Sequence, residues 1–78
     1  MSLQTIKDDV AKILSVALER PVSASENLLM GNPATWDSLK QVEIALLVEE
    51  TFSIQLPPEK IAELSSQKKI VDYVSASR

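Results

Sequence analysis

An all-α domain is the fold class that this sequence predicts, and three observations lead to it. The chain has one Gly, one Trp, one Tyr and one Phe among 78 residues, and is rich in Ala, Leu, Glu, Lys and Gln, which lose little side-chain entropy in a helix. Apolar residues recur three and four apart over long stretches, the period of a helix with one buried face. The turn formers Pro, Ser, Asn and Gly gather between those stretches instead of interrupting them. At this length burial alone leaves a narrow stability margin, so one economical domain over residues 1–78 is expected.

The first helix is expected over 3–19, where Leu3, Ile6, Val10, Ile13, Leu14 and Ala17 share a face. Ser2 is its candidate N-cap, with Thr5 nearby. Asp8, Asp9 and Lys12 fall on the solvated side, and Pro21 ends the helix because it pushes its predecessor out of the α region. From Pro21 to Trp36 the periodicity is lost, giving a long loop between the first two helices. Loops of this length are often functional or pinned by their own packing. Val22, Leu28, Leu29 and Met30 are the expected pins. Ser25-Glu26-Asn27 is a candidate short helical turn and Gly31-Asn32-Pro33 a turn, while Trp36 is expected to pack inward more than to hold a ligand.

A second helix begins at Asp37 or Ser38, with either as N-cap, and runs without Gly or Pro to about Phe52. With successive residues placed about 100° apart, Ile44, Ala45, Val48 and Phe52 share one arc, with Leu47 at its edge. That arc is the expected core face. In line with Ser38 lie Leu39, Val42 and Leu46, interleaved with Glu43, Glu49 and Glu50, an apolar and acidic mixture that reads as a docking surface or as a broad core face with solvated charges. Ser53 to Pro58 is a connector, and Pro58 suits a first helical turn. Ile61, Ala62 and Leu64 mark a third helix too short to stand without packing. Ser65 or Ser66 caps a last helix with Ile70, Val71, Tyr73 and Val74 on its apolar face, and Ser75 to Arg78 are expected to fray.

The absence of Cys and His removes disulfides, thiolates and the commonest general base and metal ligand, and with them any Ser-His-Asp mechanism. No signal-peptide pattern and no apolar run of spanning length is present, so a cytoplasmic protein without membrane insertion is expected. A net charge of −3 argues against nucleic acid, which is held by basic patches, and for partners with basic faces. Ser38 therefore has no base to activate it within this chain. Lys40 lies on roughly the opposite side of the helix, and no Gly-rich oxyanion loop is evident. What the position suits is a phosphate ester, since the first-turn amides and the positive end of the helix dipole favour an anion there. The plain alternative is that Ser38, following Asp37, is only a helix cap.

The run Asp37-Ser38-Leu39, followed by Val42-Glu43, Leu46, Glu49-Glu50 and Phe52-Ser53-Ile54-Gln55-Leu56-Pro57, resembles the carrier-site helix of acyl carrier proteins. The closing Ser65-Ser66-Gln67 to Ile70-Val71-Asp72-Tyr73-Val74 is similar to the last helix of that family, so the resemblance covers nearly the whole chain. It implies a small four-helix bundle, three longer helices and one short, and a monomer that is not itself an enzyme. It further implies 4′-phosphopantetheine esterified to Ser38 by a separate phosphopantetheinyl transferase, with acyl groups carried as thioesters between acyl-loading and acyl-transferring enzymes. Asp37 and Leu39 then flank the attachment point, and Val42, Glu43, Leu46, Glu49 and Glu50 match the face read by partners. The Trp-Asp-Ser-Leu lead and Lys40 depart from the common fatty-acid carriers and look more like stand-alone carriers of specialised pathways. Two other readings remain at this stage: an aminoacyl or peptidyl carrier loaded by an adenylating enzyme, and an unmodified helical interaction module.

Overall fold

A computed structural model describes residues 2–77. Among them four α-helices form and no strand: α1 Leu3–Leu18, α2 Ser38–Phe52, α3 Pro58–Glu63 and α4 Gln67–Ser77. None is long and apolar enough to cross a membrane. Both α2 and α4 pack on α1, and α3 packs on α2. The expected stripe of α1 is the buried one except at its start, since Leu3 is half exposed while Ile6, Val10, Ile13, Leu14 and Ala17 enter the core. Ser2 caps α1, its hydroxyl accepting from the Thr5 amide. The helix stops one residue earlier than the pattern implied. Glu19 turns left-handed at φ 53°, and the Arg20 amide reaches back to the Ser15 carbonyl, a closure that satisfies end carbonyls.

The arc assigned to the core in α2 is buried: Ile44, Ala45, Val48 and Phe52 enter the interior, and Leu47 packs at its edge. The helix ends as α1 does, with Ser53 left-handed and the Ser53 and Ile54 amides both donating to the Glu49 carbonyl. Pro58 opens α3 at its first turn, where its missing N–H costs nothing. Ser66 caps α4, its hydroxyl accepting from the Lys69 amide. The expected fraying of Ser75 to Ser77 is not seen, because α4 continues to Ser77, whose hydroxyl donates to the Tyr73 carbonyl. Arg78 lies outside the described residues.

The long loop is held differently from what its apolar residues implied. Val22 and Leu28 pack against the core, but Leu29 and Met30 are exposed. In their place the backbone pins the loop: Met30 N donates to Ser65 O at 2.8 Å and Gln67 N to Leu28 O at 2.8 Å. The Gln67 side chain, buried at the start of α4, accepts from Leu28 N and donates to Ser23 O. Asn27 Oδ1 accepts from Lys68 N. Gln67 is buried and must be paired, so it sets the loop's path, with the exposed Asn27 beside it, where hydrophobic side chains were expected to. Ser25-Glu26-Asn27 starts no helix; Ser23 to Glu26 close a turn through the Glu26 amide and carboxylate. Gly31-Asn32-Pro33 does turn, with Gly31 at φ 92° and a cis Asn32–Pro33 bond. An L side chain is strained at such a φ.

Candidate functional site at the start of α2

Two residues were candidates to cap α2, and the structure separates them. Asp37 is the N-cap, its Oδ1 accepting from the Lys40 amide at 2.9 Å. Ser38 is then the first helical residue, solvent-exposed, and its hydroxyl is not needed as the cap. The backbone enters from Trp36, whose side chain is 0% exposed. A rigid indole on one side and a capped helix on the other hold the serine at a defined place.

Gln41 is the residue that sequence reasoning missed. It is 5% exposed, and its carbonyl oxygen accepts from the Trp36 indole N–H at 2.6 Å. Its amide nitrogen donates to the Ile61 and Leu64 carbonyls. Indole only donates and backbone carbonyls only accept, so one orientation of the amide satisfies all three bonds. The signal was present on the helical wheel: three residues beyond Ser38, roughly 300° round, falls between Val48 and Phe52 on the core arc. A glutamine there must have partners, and they come from Trp36, from Ile61 in α3 and from Leu64 just beyond it.

The face in line with Ser38 is open. Leu39 is 80% exposed, Val42 51% and Leu46 55%, which rules out the broad core face for these three. Glu43 and Glu50 are exposed, Glu43 within 3.2 Å of Lys40 Nζ. Glu49 stands apart: it is half-buried, and its carboxylate accepts from the Leu56 amide at 2.8 Å, tying the connector to α2. The structure thus gives this carboxylate a structural duty, unlike Glu43 and Glu50. Ser38, Gln41 and Val42 line one side of a shallow cleft of about 260 Å³, with Met30, Pro58, Ile61 and Ala62 opposite. Met30, expected to be a loop pin, instead borders the serine.

A phosphate-linked arm on Ser38 requires an accessible oxygen, a favourable helix end and room beside it. The exposed hydroxyl at the first position of α2 and the cleft it borders meet these requirements, and the dipole of a 15-residue helix favours an anion at this end. Among the described residues no group of His, Cys, Asp and Glu is arranged to hold a metal ion. The site is chemically one hydroxyl.

Comparison with known proteins follows the same lines. The family model for the phosphopantetheine attachment site matches residues 4–74. The acyl carrier protein of Buchnera aphidicola subsp. Schizaphis graminum is 30% identical over 70 residues, covering 90% of this chain and 85% of that protein. Acyl carrier protein 3 of Ralstonia nicotianae is 29% identical over 80 residues, covering 99% and 90%. The acyl carrier protein of Helicobacter hepaticus is 38% identical over a shorter stretch of 42 residues, 54% of this chain and 55% of its own. No solved structure matches the chain significantly.

Proposed function

The chain belongs to the phosphopantetheine-attachment family of acyl carrier proteins, its prosthetic group is covalent 4′-phosphopantetheine, and from that premise we propose that Ser38 carries the group and presents acyl cargo to successive enzymes. The observation that carries this reading is the division of labour at the helix start: Asp37 supplies the cap, and Ser38 is left exposed with no structural duty there. In the attachment, catalysed by a phosphopantetheinyl transferase, the Ser38 oxygen bonds to the phosphorus of the pantetheine arm as the pyrophosphate link of coenzyme A breaks, adenosine 3′,5′-bisphosphate leaves, and the serine proton passes to the transferase. The thiol at the far end of the arm supplies the reactive sulfur that this cysteine-free chain lacks, holding acyl groups as thioesters.

The chain's own residues do the rest by position. Asp37 and Trp36 fix where the helix begins, so the hydroxyl is met by the transferase in one orientation. Leu39, Val42 and Leu46 offer a small apolar surface, and Glu43 and Glu50, with the half-buried Glu49 beside them, bias encounter toward enzymes with basic faces. A small mixed patch suits the brief contacts that shuttling needs. The cytoplasm, where coenzyme A and acyl-handling enzymes meet, is the compartment this role calls for.

Incubation with coenzyme A and a broad-specificity phosphopantetheinyl transferase, followed by intact mass measurement, tests the assignment. The native chain is expected to gain one phosphopantetheine, and Ser38→Ala none, with unchanged helicity by circular dichroism. Modification of the Ala variant, or an unmodified but folded native chain, sinks it.

A further inference from the structure

One of the side chains that line the cleft beside Ser38 is tied into the interior. Gln41 lines the cleft and is almost wholly buried; below it lies the fully buried Trp36, bonded to it through the indole N–H. Helix α3 forms the opposite wall. It contributes no buried residue from within its own span and is six residues long, too short to persist without tertiary support. Ile61 packs half-buried against the core, and the two bonds from the Gln41 amide to the Ile61 and Leu64 carbonyls add a polar tie between α2 and the C-terminal end of α3. An apolar chain entering between α2 and α3 must displace that amide and leave the indole and two carbonyls without partners, which is costly in a dry interior.

We propose that Gln41 is a latch that seals the bundle beneath Ser38, so that cargo attached there stays in the surface cleft, and that this makes the carrier indifferent to acyl chain length. The inference rests on Ser38 as the attachment point. Burial of each methylene is worth roughly fourfold in an equilibrium constant. A carrier that took its cargo inside would therefore be stabilised increasingly by longer chains, whereas a sealed one would not. Gln41 is a positioning residue: it acts through α3 and Trp36, and does not touch the serine oxygen.

The test loads the native chain with the acylated arm from acetyl-coenzyme A or decanoyl-coenzyme A, using the same transferase, and confirms each product by intact mass. Failure to gain mass would mean that the attachment site itself is wrong, a result distinct from those below. With both products in hand, the thermal midpoints of the acetyl and decanoyl forms are expected to agree within about 1 °C, because no cargo surface is buried. A decanoyl form more stable by over about 4 °C would overturn the seal. Gln41→Met keeps the side chain's length and removes its amide; here the decanoyl form is expected to gain several degrees over the acetyl form. Equal lowering of both would show a merely structural glutamine and would overturn the latch. If Gln41→Met does not fold, Trp36→Phe, which removes the indole donor but keeps a ring, is read by the same difference. The rate of thioester cleavage by hydroxylamine gives a second readout, expected to be equal for the two cargoes on the native chain and slower for decanoyl than for acetyl on the variant.

Discussion

The two apolar faces of α2 are made from the same kinds of residue and meet opposite fates. Ile44, Ala45, Val48 and Phe52 are buried against the rest of the bundle, while Leu39, Val42 and Leu46, centred more than a third of a turn away, stand in solvent. Composition does not distinguish them. What differs is the neighbour: α1 covers the first face, and the second is interleaved with Glu43 and Glu50, whose charges resist burial. The uncovered face is the one that we propose partner enzymes read. The start of the helix repeats the contrast on a smaller scale, where the Asp37 carboxylate is engaged as a cap and the Ser38 hydroxyl is displayed.

The largest stability effect that this contrast predicts is on the covered face. Phe52→Ala should cost about 3–5 kcal/mol by chemical denaturation, since it removes a large buried ring and leaves a cavity. Leu46→Ala on the open face should change stability by no more than about 0.5 kcal/mol. Comparable losses at the two positions would mean that the second face is covered in solution after all. Next in size is the cap. Asp37→Ala should cost about 1 kcal/mol yet still accept phosphopantetheine, whereas Ser38→Ala should keep its stability and accept none. A marked destabilisation in the serine variant would assign it the structural duty that Asp37 holds in the structure.

The smallest effect concerns rate. Glu43→Lys reverses one of the three carboxylate charges at the open face and leaves Lys40 without its ion-pair partner. It should slow transferase modification by about threefold at low ionic strength while leaving helicity intact, because rim charges act chiefly on association. The deficit should shrink as salt is raised to physiological strength, where the screening length is about 8 Å. A deficit that persists at high salt would point to a direct contact in place of steering.

Much of this molecule was legible from the chain. The helices follow from apolar spacing and from Pro21, Pro57 and Pro58, and each begins or ends within a residue or so of where local chemistry puts it. Asp37-Ser38-Leu39 with its downstream pattern pointed to the carrier family, and the wheel separated the two faces of α2. The reading of the loop was poorer. Leu29 and Met30 were expected inside on hydrophobicity alone, but both are exposed, because the segment is anchored through backbone groups and Gln67 instead.

Helix position, helix face and the candidate serine are determined by the sequence itself, since they depend on residues within a few turns of one another. The duties of Gln41 and Gln67 are decided only by the tertiary structure. As free residues they are ordinary polar helix formers. They become buried clamps because packing brings to them the carbonyls of Leu64 and Ser23, 23 and 44 positions away, and a buried amide takes its role from the partners that the fold delivers.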